Sequence, residues 1–546
     1  MRLARLGCAH QTRLSFMRVL LRGLRKGRWQ TDRPLWDINA KGVGRAVYRI
    51  RGQGQCYCLV AFAHDLPDAQ RSDRVIAEAW DATFALMDGE PSEEDLARLS
   101  RNVPLQEAGR VSDRELVLSR ANRSVRLWEH VVERLAAGQQ PDPEQLAEVG
   151  YLMRTTAVYG SGKFGAADHE ALSGRPLMDG PFRAEMLAVW LIRAFACDLV
   201  EHLARSLCPT AVPLAPELRR SLGIGNSTGL GMAPFLVNHP LLLNAWITAR
   251  ETAFARIRAL PCSTLKTRSD FCVAVDGFAE TLSGWRSEHP LQQAKLAALA
   301  NDLSQLRAHL SQQVLEGSYP WESLWNWSKQ ALSLEGQELV LALMLEPHGS
   351  LVDDLAENMS AEERAPARID GAMLVADVRE TITAQFGWAL SPDYSVPEAC
   401  ARFWYVSEAK LEPRLGERHE DPGADREQPL DIGRSVMALA KKVADAPSDM
   451  TVATFLQQHP EHRRALRRVQ MARQAPYGEI QDNLIAASLS PIDMLRCKLA
   501  FFGATRFDPR SDRWVRITMF QNAPLPSELH LLPEDDWSSS PIRMIA

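Results

Sequence analysis

Two segments of the chain combine glycine with side chains suited to an anion or a carbonyl. They are Tyr159-Gly160-Ser161-Gly162-Lys163-Phe164-Gly165 and Gly223-Ile224-Gly225-Asn226-Ser227-Thr228-Gly229-Leu230-Gly231-Met232-Ala233-Pro234. Glycine lets a backbone take positive φ and come close to a ligand, and Ser, Thr, Asn and Lys supply donors for negative charge. Ser161, Lys163, Asn226 and Thr228 are therefore candidate substrate-binding residues, with Arg154 one or two turns earlier as a partner. His169 and His239 lie close to the two segments and are the candidate general acid or base, and Ser227 is a candidate catalytic residue.

Both segments also have a plain structural reading. Ala157 to Lys163 matches the A/G-x4-G-K part of a nucleotide phosphate loop, but Phe164 stands where a Mg²⁺-binding Ser or Thr is required, and the preceding residues read as a helix rather than a strand. A glycine-capped helix end with Lys163 near the last carbonyls accounts for the same residues. The second segment lacks the glycine spacing and the preceding strand of a dinucleotide fingerprint, which leaves a flexible polar loop before a helix or a turn between bundle helices.

Ser227, Met232, Pro234, Asn238 and Pro240 resemble the mobile serine loop of the fumarase and aspartase superfamily, whose Ser-Ser-x-Met-Pro-x-Lys-x-Asn-Pro segment carries the catalytic base. Here the Ser-to-Met spacing is longer, Ala233 separates Met232 from Pro234, and the family's lysine is absent. The resemblance implies elimination chemistry with Ser227 as base, and stops short of membership.

Other chemistry-bearing groups are sparse. Asp168-His169-Glu170 are consecutive and would diverge on a helix, and His459-Pro460-Glu461-His462 fits no zinc pattern, so no metal site is assigned. His64-Asp65 offers a base with its orienter or simply a turn histidine, and no Gly-x-Ser-x-Gly elbow is present. Cys56 and Cys58 would share one face of a strand, and Glu408, Lys410, Glu412 and Arg414 would form a charged strand face.

Composition sets the frame. A chain of 546 residues, 46% hydrophobic, is large enough for several packed domains. A net charge of −5 argues against a nucleic-acid-binding surface and favours small polar or anionic metabolites. The nine cysteines form no regular framework and no secretory signal is evident, which reads as reduced thiols in the cytoplasm. Residues 1–31 carry eight basic side chains and no acid, as a helix lying on an acidic surface or an organellar transit peptide would. No apolar run is long enough for a membrane span.

The elements that must position these residues read as α+β, with a predominantly α-helical core and a mixed N-terminal region containing a β-hairpin over residues 44–62. Val75 to Leu86 adds a strand or a helix, and a helix follows around 122–137. Asp142-Pro143 opens a helix expected to run to about Tyr159, and an apolar helix follows Gly180-Pro181. Asn238-His239-Pro240 opens another to about Arg258, and Leu296 to Val314 forms a further one. The expected division is a mixed region 1–140, a mainly helical core 141–411, a charged proline-rich linker 412–430 and an α+β region 431–546. The last should hold helices near 432–446 and 452–474 and a strand over Arg513–Phe520.

Together these point to a cytoplasmic enzyme acting on a small anionic or carboxylated metabolite, with lyase or transferase chemistry favoured. The alternatives are a non-catalytic binding or scaffold protein and a cofactor-dependent redox enzyme. No cofactor is specified, and homo-oligomerisation stays open.

Overall fold

In the computed structural model, which describes residues 10–67, 79–101, 111–157, 172, 174–229, 240–312, 314–359, 369–395, 403–407, 413–416, 427–430, 432–474, 500, 502–504, 506–511 and 514–531, the expected hairpin is β2 (Gly44–Gly52) with β3 (Gln55–Ala63). Gln53 and Gly54 between them both take positive φ, 52° and 76°, the conformation of a type I′ turn whose twist matches the strands. The hairpin is one part of a much larger sheet. Nine strands run in the order β1-β2-β3-β4-β5-β6-β7-β12-β11. The others are β1 (Gln30–Ile38), β4 (Ala82–Asp88), β5 (Glu115–Arg123), β6 (Tyr151–Thr155), β7 (Gly223–Gly229), β11 (Arg506–Ser511) and β12 (Trp514–Met519). The fold is α+β, and the expectation of a hairpin alone is corrected to this sheet.

Two elements depart from their sequence reading for identifiable reasons. The helix opened by Asp142, α4 (Pro143–Val149), stops after two turns because Gly150 adopts the left-handed conformation (φ 78°) and returns its N–H to Leu146 O. The chain then enters the sheet as β6. The segment expected to be a polar loop is strand β7 from Gly223 to Gly229. A Cβ on Gly223 would strike the Met519 carbonyl and the Thr518 side chain, and one on Gly225 would fall 2.8 Å from Arg154 Cγ and from Tyr151 Cδ2. These glycines serve close packing in a strand interior.

β6 and β7 pair in parallel, with Tyr151 opposite Gly223 and Arg154 opposite Gly225; among the described residues every other strand pairing is antiparallel. A parallel pair needs a crossover. It contains α5 (Arg183–Leu207) and α6 (Pro216–Ser221). The helix α5 is the expected apolar rod and packs on the sheet with Trp190, Phe195 and Leu199 buried. Its polar interruptions all have partners. Asp198 accepts hydrogen bonds from Tyr48 Oη (2.6 Å) and Arg33 Nη1 (2.7 Å), which ties the helix to β1 and β2. Glu201 accepts from Leu214 N at 3.3 Å and Arg219 Nη1 at 3.2 Å.

The basic N-terminal segment forms α1 (Phe16–Lys26), whose apolar side packs on α5. Its cations meet an acidic surface formed by Glu346 and by α12 (Gly349–Glu357). Arg18 Nη1 and Nη2 donate to Glu346 Oε1 and Oε2 at 2.6 and 2.8 Å. Arg13 makes a bidentate pair with Asp353 at 2.7 Å for each bond, and Arg22 Nε donates to Glu357 at 3.2 Å.

The middle of the chain is helical. It runs through α7 (Pro240–Arg258), α8 (Leu265–Ser283), α9 (Pro290–Leu310), α10 (Pro320–Ala331) and α11 (Leu334–Leu345) to α12. Next, α13 (Val375–Leu390) packs against α14 (Ile432–Asp445) and α16 (Arg463–Gln474), with the short α15 (Val452–Gln458) between the last two. Within the 412–430 stretch the described residues 413–416 and 427–430 are β9 and β10, which flank β8 (Phe403–Ser407) in a three-stranded sheet. No described helix is long and apolar enough to cross a membrane.

Candidate functional site

The two faces of the large sheet differ. One packs its apolar side chains, including Ala61, Phe84, Ala121, Ile224 and Ile517, into the core around α5. On the other, Val60, Ala85 and Leu118 join Leu96 and Leu99 of α2 (Glu93–Ser100) in a small apolar cluster. Beyond that cluster this second face turns polar. Register places Asn122 opposite Arg154, Arg154 opposite Gly225, Gly225 opposite Thr518 and Thr518 opposite Arg506. Directly paired residues share a face, so these form one polar row across five strands. At the β3–β4 end, His64 N donates to Asp81 O (2.9 Å) and Asp81 N donates to Asn122 Oδ1 (3.0 Å).

A second polar row lies two residues along each strand. Thr83 pairs with Arg120, and Thr156 N donates to Arg120 O at 2.9 Å. Farther along, Ser227 pairs with Arg516, opposite Asp508 on the edge strand. Arg120, Arg154 and Arg516 therefore stand on one face within adjoining rows. The Arg120 guanidinium stacks over the Trp80 ring at 4.5 Å, and burial lowers its pKa. Arg154 and Arg516 are each only 7% exposed. Between them Gly225 carries no side chain, and Arg154 Cγ and the Tyr151 ring close over it.

Planar guanidinium groups match carboxylate and phosphate oxygens with two parallel N–H donors. Asn122 adds a neutral amide. Proton transfer is less well supplied. Burial lowers His64 to about 4 against the opposing pull of Asp81, which leaves the ring neutral at pH 7. It lies three strand spacings from Arg154, roughly 14 Å at about 4.8 Å per strand, too far to serve the same reacting atom.

Of the residues picked from sequence, the structure brings Arg154 into this row. Asn226, fully buried, donates its Nδ2 to Thr155 O at 2.9 Å and ties β7 to β6. Ser227 and Thr228 lie on β7, in register with Arg516 and Val515. Ser161, Lys163, His169 and His239 lie outside the described residues. So do Asp168, Glu170, Lys410 and the segment 158–171, although β6 supplies the strand before Ala157 that the phosphate-loop pattern asks for. Phe164 still occupies that pattern's Ser or Thr position.

Sequence reading missed Arg120, Asn122 and Arg516. The signal available was alternation: Arg120-Ala121-Asn122 and Arg516-Ile517-Thr518 each place polar residues on either side of an apolar one. Among the described residues no group of three or more His, Cys, Asp or Glu side chains is arranged to hold a metal ion. No protein-family model matches this chain, and no curated protein or solved structure is significantly similar to it.

Proposed function

We propose that the chain is an enzyme that binds a small anionic or carboxylated metabolite on the Arg154 face of the sheet and acts on it by lyase- or transferase-type chemistry. The observation that carries this reading is the sharing of one face of the sheet by Arg120, Arg154 and Arg516. β6 and β7 run parallel, so both strands end at the same edge of the sheet. The residues that follow β6 and β7 in sequence include Ser161, Lys163, His169 and His239. In the proposal Arg154 grips the anion, Ser161 and Lys163 add donors, and His169 or His239 moves the proton.

Thermal unfolding in the presence of small phosphate- and carboxylate-bearing metabolites tests it. A ligand at a hundredfold its Kd stabilises the fold by about 2.7 kcal/mol. That stabilisation should appear in the wild type and in Arg307→Ala, which removes an exposed pair with Asp276 elsewhere in the molecule. It should vanish in Arg154→Ala. A panel that stabilises Arg154→Ala as much as the wild type, or stabilises neither, overturns the proposal.

A further inference from the structure

On the same face of the sheet as the arginines, but towards its β3 side, three sulfur-bearing residues lie together on β3 and β4. Cys56 and Cys58 project to one side of β3 with their Sγ atoms 3.9 Å apart. Met87 on β4 is the direct register partner of Cys58 and shares its side of the sheet. Directly opposed residues have Cβ atoms about 4.5–5.5 Å apart, which a thioether spans easily. Cys58 and Met87 are fully buried among Val47, Val60, Ala85 and Leu96, whereas Cys56 is partly exposed and gives access.

We infer that Cys56, Cys58 and Met87 form a binding site for a single soft monovalent cation, Cu(I). Two thiolates and a thioether are the ligand set that selects this ion over hard or borderline metals. The spacing fits: with metal–sulfur bonds of about 2.3 Å, two sulfurs of a trigonal site stand about 4.0 Å apart. Binding is a proton exchange without redox change, in which Cu(I) and two thiols give a bis-thiolate complex of charge −1 and two released protons. That negative charge lies beside Arg49, a cation that also pairs with Asp32 and Glu90. Arg49 on β2 is the register partner of Cys58, and its Nη1 donates to Glu90 at 2.6 Å just past β4, so the guanidinium passes beside the thiols. The site is independent of the anion-binding proposal.

The test uses the reduced full chain under anaerobic conditions, titrated with Cu(I) in competition with a coloured Cu(I) chelator, with metal per chain counted by native mass spectrometry. One tightly held ion is expected in the wild type and in a variant carrying Cys262→Ser and Cys272→Ser, which removes two exposed thiols elsewhere. Cys56→Ser, at the partly exposed position, should lose that ion while unfolding at the wild-type temperature. Met87→Leu should bind roughly tenfold more weakly, the scale on which supporting groups tune a metal site. Retention of the ion by Cys56→Ser, wild-type affinity in Met87→Leu, or no uptake by the wild type would each overturn the assignment.

Discussion

Gly225 lies against Arg154 so closely that a Cβ at position 225 would fall 2.8 Å from Arg154 Cγ, and the same distance from Tyr151 Cδ2. The central cation of the polar face is thus held in place by the absence of a side chain on the neighbouring strand. Gly225→Ala is expected to push Arg154 off its position and to destabilise the fold by about 1–3 kcal/mol, the range for overpacking a filled site. A matched control is Gly387→Ala in α13, where an added Cβ meets nothing within 4 Å. That change should be neutral or stabilise by up to about 1 kcal/mol. Denaturant unfolding of both variants checks the pair, and a Gly225→Ala protein as stable as Gly387→Ala would show that the close approach is not a constraint.

Burial of His64 gives stability a pH dependence with a defined sign. Its pKa of about 4 in the fold lies below the value of about 6.5 in an unfolded chain. The unfolded state therefore takes up the proton first, so the contribution is complete above about pH 6.5 and is lost as the pH falls towards 4. His64→Gln, which cannot titrate, should flatten the unfolding free energy across that window. Equal slopes in the two proteins would assign the pH dependence to other groups.

Glu346 titrates lower on the scale. Burial on its own would raise this carboxyl, but the Arg18 guanidinium and the His10 ring hold it well below the usual carboxylate range. A depressed acid stabilises the fold above its unfolded pKa of about 4.3, and that stability is lost as the pH falls below it. Docking of α1 should therefore hold down to about pH 4.5 and weaken on further acidification. Glu346→Gln leaves the fully buried Arg18 without this counter-charge, a change expected to cost about 3–5 kcal/mol at pH 7. Hydrogen exchange of the α1 amides resolves the effect from global unfolding. Unchanged α1 protection in Glu346→Gln would remove the ion pair as the cause of docking.

What the sequence disclosed was local. Asn238-His239-Pro240 marks the start of α7, Gly52-Gln53-Gly54 the turn of the hairpin, and the apolar stretch after Gly180-Pro181 the rod α5, because a cap, a turn or a period is written in contiguous residues. The basic residues of the N-terminal segment likewise foretold an acidic docking surface, though not that it begins at Glu346, more than 300 residues away. The sheet stayed hidden for the same reason. β7 lies between β6 and β12, and its partner on one side comes from residues 514–519, so no local pattern names the neighbour. Glycine at 223, 225 and 229 obeys a strand period of two that is easily taken for a flexible loop when the adjoining strand is unknown. On sequence alone Arg154 reads as a helical neighbour of Lys163, one or two turns earlier. It belongs instead to a row of residues from separate strands, and Arg120 and Arg516 become its companions only when those strands pair.

Arg193 shows most directly how the late part of the chain closes the sheet. It is wholly buried in α5, and burial lowers its guanidinium to about 10, so it remains charged at neutral pH. Its Nε donates to Leu222 O at 2.6 Å, Nη1 to Ala523 O at 2.9 Å and Nη2 to Arg220 O at 2.8 Å. One side chain thus fastens the turn entering β7 and the turn leaving β12 to the same helix. Arg193→Met fills similar volume but leaves the buried Leu222 and Ala523 carbonyls without this donor, at about 1–3 kcal/mol each before relaxation, whereas Arg220 O keeps the Asn522 N–H. A total loss above about 3 kcal/mol is expected. Arg193→Lys keeps the charge but cannot reach three carbonyls in a plane, so it should recover only part of that loss. Because the bonds converge on both flanks of the β7–β12 pair, limited proteolysis should cut Arg193→Met first around residues 520–531. Cleavage there at the wild-type rate, with wild-type stability, would mean that strand pairing alone holds the late hairpin in the sheet.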